Sequence, residues 1–275
     1  MKTFIKWQGN KSKHLNKFIK YIPEFTGTYF EPFLGSGALF LKLQPKKWII
    51  NDLNADLINI WNQVKNNPQE IINTFTDFGN HFKPLSKEDK VSYCRNITSN
   101  IESLPFNIHR ATMYMLMTFC VYMGSIIHNN KFYFSSLDIY LYIKNKYPFL
   151  EQNNYDNIHQ VSQFLNNSNG TIFNQSYELI LDKANEGDFV FLDPPYVETH
   201  NYLFNYNKDE ILDNSFIEQL LIEVKKLDKK KVQWLMTQAD TELIKEIFKG
   251  YTIKTFQVYR MGSKKYVNEL LIMNY

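Results

Sequence analysis

Residues 189–196 read FVFLDPPY: four apolar residues, an aspartate, two prolines and a tyrosine. The apolar four have the composition of a strand buried on both faces. No strand or helix continues through Pro194 and Pro195, because each proline removes an N–H and fixes φ. The chain therefore ends a buried strand on a charge, Asp193, and stiffens the positions that follow. With no competing local donors, the Asp193 side chain and the Pro194 carbonyl stand as hydrogen-bond acceptors. Acceptors aimed at one point suit an amino group, which offers two hydrogens. Tyr196 adds a flat face on which a planar base can stack. A mere chain stop would leave the charge and the aromatic ring unexplained.

Outward from this stretch, the first and last thirds of the 275 residues share one rhythm. Strand-like TYFEP, WIIND, GTIFNQ, DFVFLD, KVQWLMT and YTIKTFQV are separated by helix-like ADLINIWNQV, YELILDKA, SFIEQLLIEVKKL and TELIKEIF. KSKHLNKFIKYI near the start also reads as a helix. The pattern predicts an α/β fold with a doubly wound, mostly parallel sheet. Residues 86–164 break it, being helical at first and then aromatic and polar without a clear period. We read them as an inserted, mainly helical subdomain, with 1–85 and 165–275 forming the sheet domain.

A second signal lies at 31–40, EPFLGSGALF. A strand ending in Glu31 meets a Gly-x-Gly turn, where Gly35 and Gly37 supply positive φ and bare backbone for close approach of a ligand. A dinucleotide fingerprint would carry a third glycine where Phe40 stands, so the turn suits a nucleoside without a pyrophosphate. A plain strand-to-helix turn is the alternative. One strand later, in WIINDLNADLI, Asp52 is placed to hold ribose hydroxyls. The competing role, capping the next helix, could equally fall to Asn54.

Composition narrows the class. Two cysteines, Cys94 and Cys120, build neither a disulfide framework nor a four-ligand zinc site, so we expect no metal and a reducing, cytoplasmic setting. Residues 111–127, ATMYMLMTFCVYMGSII, are uncharged but shorter than the ~20 apolar residues a spanning helix wants. A helix buried in the protein is expected there, and no membrane. The net charge of +3 is compatible with a polyanion without arguing for one.

These segments resemble the Dam-type DNA adenine-N6 methyltransferases. KWQGNK (6–11) resembles their amino-terminal motif, EPFLGSG their cofactor loop, NDLNADLI their ribose segment and DPPY their catalytic motif. RMGSKKYVNELLIMN (260–274) resembles their closing loop and hairpin. The matches span nearly the whole chain in order. The resemblance implies a class I methyltransferase fold and a site-specific enzyme that moves a methyl group from S-adenosyl-L-methionine to N6 of a flipped adenine in double-stranded DNA.

Carried over residue by residue, it implies that Trp7, Lys11, Glu31, Phe33, Gly35, Gly37, Asp52 and Asp193 bind the cofactor. Asp193, Pro194, Pro195 and Tyr196 would form the catalytic motif. Read without the resemblance, Lys11 belongs to a solvated basic face and Trp7 to a core. The family's recognition stretch is altered here, with MTFCVYMGSI and HNNKFYFSS in its place, so the site read does not transfer. The family's Ser-Asn pair is Thr237-Gln238. We expect Tyr122, Lys131 and Tyr133 to face DNA, and Arg260, Lys264 and Lys265 either to grip phosphates or to form a solvated turn. A monomer or weak dimer is expected, and a restriction endonuclease acting on the same site is the implied protein partner. The rival readings are a cytosine-N4 or RNA adenine-N6 methyltransferase and a catalytically silent DNA-binding homologue.

Overall fold

The computed structural model describes residues 1–120, 127–128, 131–132, 151–196, 214–260 and 265–275. Its strands are β1 Tyr29–Glu31, β2 Lys47–Asn51, β3 Ile127–His128, β4 Lys131–Phe132, β5 Asn169–Phe173, β6 Phe189–Leu192, β7 Gln233–Ala239, β8 Thr252–Arg260 and β9 Lys265–Met273. Seven of them form one sheet in the order β5-β2-β1-β6-β7-β9-β8, while β3 and β4 pair separately. From β5 to β7 every pairing is parallel, as the alternating pattern predicts. The last two strands are antiparallel because only residues 261–264 separate β8 from β9, too few for a crossover. The chain winds away from β1 in both directions, so a switch point falls between β1 and β6. Open α/β sheets bind ligands at the carboxyl end of such a point.

The helices are α1 Leu15–Phe18, α2 Ala38–Leu43, α3 Ala55–Asn66, α4 Pro68–Phe82, α5 Lys87–Asn100, α6 Ile108–Cys120, α7 Gln152–Asn167, α8 Tyr177–Leu181, α9 Asn214–Lys229 and α10 Glu242–Ile247. They cover both faces of the sheet, and successive strand residues feed two separate cores. Tyr29, Phe189 and Phe191 join Phe40, Trp61 and Phe75 on one face. Phe30, Val190 and Leu192 join Trp234, Val224 and Leu270 on the other. All four residues of β6 are thus buried, which is why this strand reads as a continuous apolar run.

Helix α6 carries the uncharged stretch into the first core, with residues Ala111 to Met117 all buried. Among the described residues no helix is long and apolar enough to cross a membrane. Ile158 and Leu165 of α7, and Cys94 of α5, enter the same core. Residues 11–22, expected as one helix, divide into a 3-10 turn at Lys11–Lys13, α1, and a second 3-10 turn at Ile19–Tyr21. A regular amphipathic helix would leave Lys11 in solvent. Here Lys11 is buried, and Phe18 is anchored by stacking on Phe191, ring centres 5.9 Å apart.

Candidate active site

The strand β6 delivers Asp193 to the carboxyl edge of the sheet, beside the end of β1. The Lys11 ammonium lies 2.6 Å from Asp193 Oδ1, with both side chains largely withdrawn from water. The hydroxyl of Thr237, on β7, donates to the same oxygen. Three residues after Asp193, the Tyr196 ring receives the Lys11 ammonium 4.9 Å from its centre, within cation–π range. Its hydroxyl donates to Oε2 of Glu269 on β9 at 3.0 Å. Burial, followed by the negative charges of Glu269 and Asp193, pushes the Tyr196 pKa well up. That hydroxyl therefore stays a donor throughout the physiological range.

Lys11 is a correction to the basic-face reading. It is buried because it is the counter-ion of Asp193, and an unpaired carboxylate at that depth would be costly. Trp7 is partly buried against the glycine turn rather than deep in a core. Its ring comes to 3.0 Å of the point a Gly35 Cβ would occupy.

The neighbouring turn has the conformation its glycines suggest. Gly35 and Gly37 adopt φ of 48° and 62°. A Cβ on Gly37 would stand 2.6 Å from the Trp61 ring, so sterics as well as φ demand glycine there. Phe40, at the position of the missing third glycine, is wholly buried between Trp48 and Trp61. The Asp52 carboxylate accepts N–H bonds from Gly35 at 2.9 Å and Asn54 at 3.0 Å, tying the first turn to the second. The helix cap is Asn54, whose side chain accepts from the N–H of Leu57.

Electrostatically the site is crowded with acids. Glu31 closes β1, is buried, and accepts from the Tyr29 hydroxyl at 2.7 Å. Burial above all, with Asp193 and Asp52 adding repulsion, raises its pKa to about 8. Burial raises Asp52 to about 6, although the N–H groups of Asn54 and Gly35 pull the other way. Phe33, by contrast, packs with Tyr177 and Phe216 on the second core.

Asp193, Lys11 and Tyr196 are in direct contact, and Gly35 and Asp52 are joined by a hydrogen bond. Pro194 and Pro195 continue the chain between Asp193 and Tyr196, Pro194 being buried. Of the residues expected to face DNA, Lys131 lies in β4 and Arg260 and Lys265 end the paired part of the β8–β9 hairpin. Tyr122, Tyr133 and Lys264 lie outside the described residues. Sequence reasoning missed Glu269 altogether, and noted Thr237 only as a departure from a motif. A charged residue opening the apolar run ELLIM was the one available signal for Glu269.

A switch-point site on this sheet, with an acid-rich turn beside a rigid DPPY loop, defines a class I methyltransferase. Residues 7–261 match the profile of the D12 class N6 adenine-specific DNA methyltransferases, and the chain belongs to that family. It is an adenine-specific DNA methyltransferase by that membership. The chain is similar to the type II methyltransferase M1.LlaDCHI of Lactococcus lactis subsp. cremoris, 29% identical over 100% of this chain and 96% of the relative. The type II methyltransferase M.MjaIII of Methanocaldococcus jannaschii is 28% identical over 100% and 99%. The DNA adenine methylase of Escherichia coli K12 is 25% identical over 99% and 95%.

Proposed function

We propose that the protein takes its methyl group from S-adenosyl-L-methionine and works on an adenine flipped out of double-stranded DNA, at a specific site. The observation that carries this reading is the convergence of Lys11 and Tyr196 on Asp193, beside the Glu31–Asp52 turn. The donor chemistry fits the cofactor. Two buried carboxylates with raised pKa values form a site that gains stability from a cation. S-adenosylmethionine supplies an electrophilic methyl on a positively charged sulfur. Asp52 would hold its ribose, Trp7 and the bare Gly35–Gly37 backbone its nucleoside part, and Lys11 and Glu31 its charged amino-acid end. Phe33 would complete that pocket from the side of the second core.

Asp193 and the Pro194 carbonyl accept the two N6 hydrogens of the adenine, holding its lone pair out of conjugation with the ring. Lys11 and Thr237 both engage Oδ1 of Asp193, and Oδ2 would receive the amino group. Tyr196 presents its face to the base, and Pro195 limits the motion of the loop. A base within the duplex could not reach these groups, which is why flipping is required. Positioning, rather than a covalent enzyme intermediate, would supply most of the rate.

Residues 86–164 would select the site, through Tyr122, Lys131 and Tyr133, while Arg260, Lys264 and Lys265 hold phosphates. The type II relatives favour a partner endonuclease that reads the same sequence. The test is transfer of labelled methyl from S-adenosylmethionine to DNA, with nucleoside digestion and single-molecule sequencing. N6-methyladenine at one repeated site supports the reading. N4-methylcytosine, label in RNA alone, or no transfer would sink it.

A further inference from the structure

We propose that Glu269 is a positioning residue for methyl transfer, tethering the Tyr196 hydroxyl so that the ring stands ready for the target base. This rests on the base-stacking role proposed above for Tyr196, and makes the antiparallel edge of the sheet part of the catalytic apparatus.

The position of Glu269 is unusual for a carboxylate. It is only 6% exposed and opens the run Leu270–Met273, all of it buried. Its cross-strand neighbours, Ala239 on β7 and Phe256 on β8, have no polar side chain to offer it. Tyr196 does, through the 3.0 Å bond from its hydroxyl.

The geometry explains what the bond contributes. Pro194 and Pro195 fix the backbone leading to Tyr196 but leave its side-chain torsions free. A ring held at Cα by the chain and at its far end by a hydrogen bond can no longer swing out of plane. Thr237 acts on Asp193 from the adjacent strand in the same manner. The two groups meant for the base are thus both held by side chains from the carboxyl-terminal third, as precise catalytic placement requires.

The test uses the full chain, measuring kcat, KM for DNA, cofactor affinity and thermal melting. Glu269→Gln keeps an acceptor and should stay within about 3-fold of the unmodified kcat. Glu269→Leu and Tyr196→Phe remove one end of the bond each and should each lower kcat roughly 10-fold, with cofactor affinity unchanged. Tyr196→Ala, which loses the ring as well, should fall further. Combining Tyr196→Phe with Glu269→Leu should cost no more than either alone, since both break the same bond. Multiplying losses, or full kcat in Tyr196→Phe, would overturn the proposal. Should Glu269→Leu fail to fold, Tyr196→Phe with and without Glu269→Gln decides: the gentle Gln effect must vanish once the hydroxyl is gone. An unmodified protein that methylates no adenine would instead defeat the functional reading itself.

Discussion

The two walls of the site are built by different means. On the β1–β2 side, backbone does the work: Asp52 accepts N–H groups from Gly35 and Asn54, and the glycines set the turn. On the β6–β7–β9 side, side chains hold side chains across long sequence distances, Lys11 to Asp193 and Tyr196 to Glu269. The first wall is shaped by local conformation, whereas the second exists only when remote segments dock. Each wall is accordingly fragile in its own way. Damage to the first should appear as lost folding or cofactor affinity, and damage to the second as lost turnover.

The largest expected effect tests the second wall. Asp193→Ala should lower turnover at least ~10²-fold, comparable to losing one preorganised transition-state hydrogen bond, while DNA affinity changes far less. Steady-state rates near the normal value would end the assignment. On the first wall, Gly37→Ala sets a Cβ against Trp61 in a left-handed conformation and should cost roughly 2–4 kcal/mol, read by denaturant unfolding. A variant as stable as the parent would show that the turn yields easily.

Asp52→Ala should weaken cofactor binding by roughly 1–3 kcal/mol with the fold retained. Calorimetry giving an unchanged affinity would remove Asp52 from the ribose site.

The acid cluster predicts a pH dependence. The Glu31 pKa is about 8 in the fold against 4.5 for its ordinary value, so its neutral form is favoured by folding. Its contribution is complete below pH 4.5 and is lost as pH rises through 8. Glu31→Gln should therefore lose less stability than the parent between about pH 6 and pH 8, by roughly 1–3 kcal/mol. Parallel stability curves would contradict the buried-acid account.

The smallest effect is expected at the basic stretch 264–265. Replacing Lys264 and Lys265 by alanine should weaken all DNA alike and flatten the salt dependence by ~0.9 per lost phosphate contact. An altered choice of methylated site with an unchanged salt slope would mean that the hairpin, not the inserted segment, reads sequence.

Much of the molecule was legible because short-range rules govern it. FVFLDPPY announced a buried strand and a rigid stop through apolar continuity and missing N–H groups. Gly35 and Gly37 announced positive φ, and the alternation of segments announced the parallel sheet. Asn54 as the cap was foreseeable from its place before α3. What sequence could not decide was which side chains from distant segments would meet. Lys11 reads as one lysine among several on an amphipathic start, and burial beside Asp193 depends on how that start folds onto β6. Thr237 and Glu269 lie 44 and 73 residues from the partners they hold. Their roles arise from strand register, which sets Ala239 opposite Glu269 and Leu192 opposite Met236. Local propensity carries no information about such pairings, because the free energy that selects them comes from burying two whole sheet faces at once.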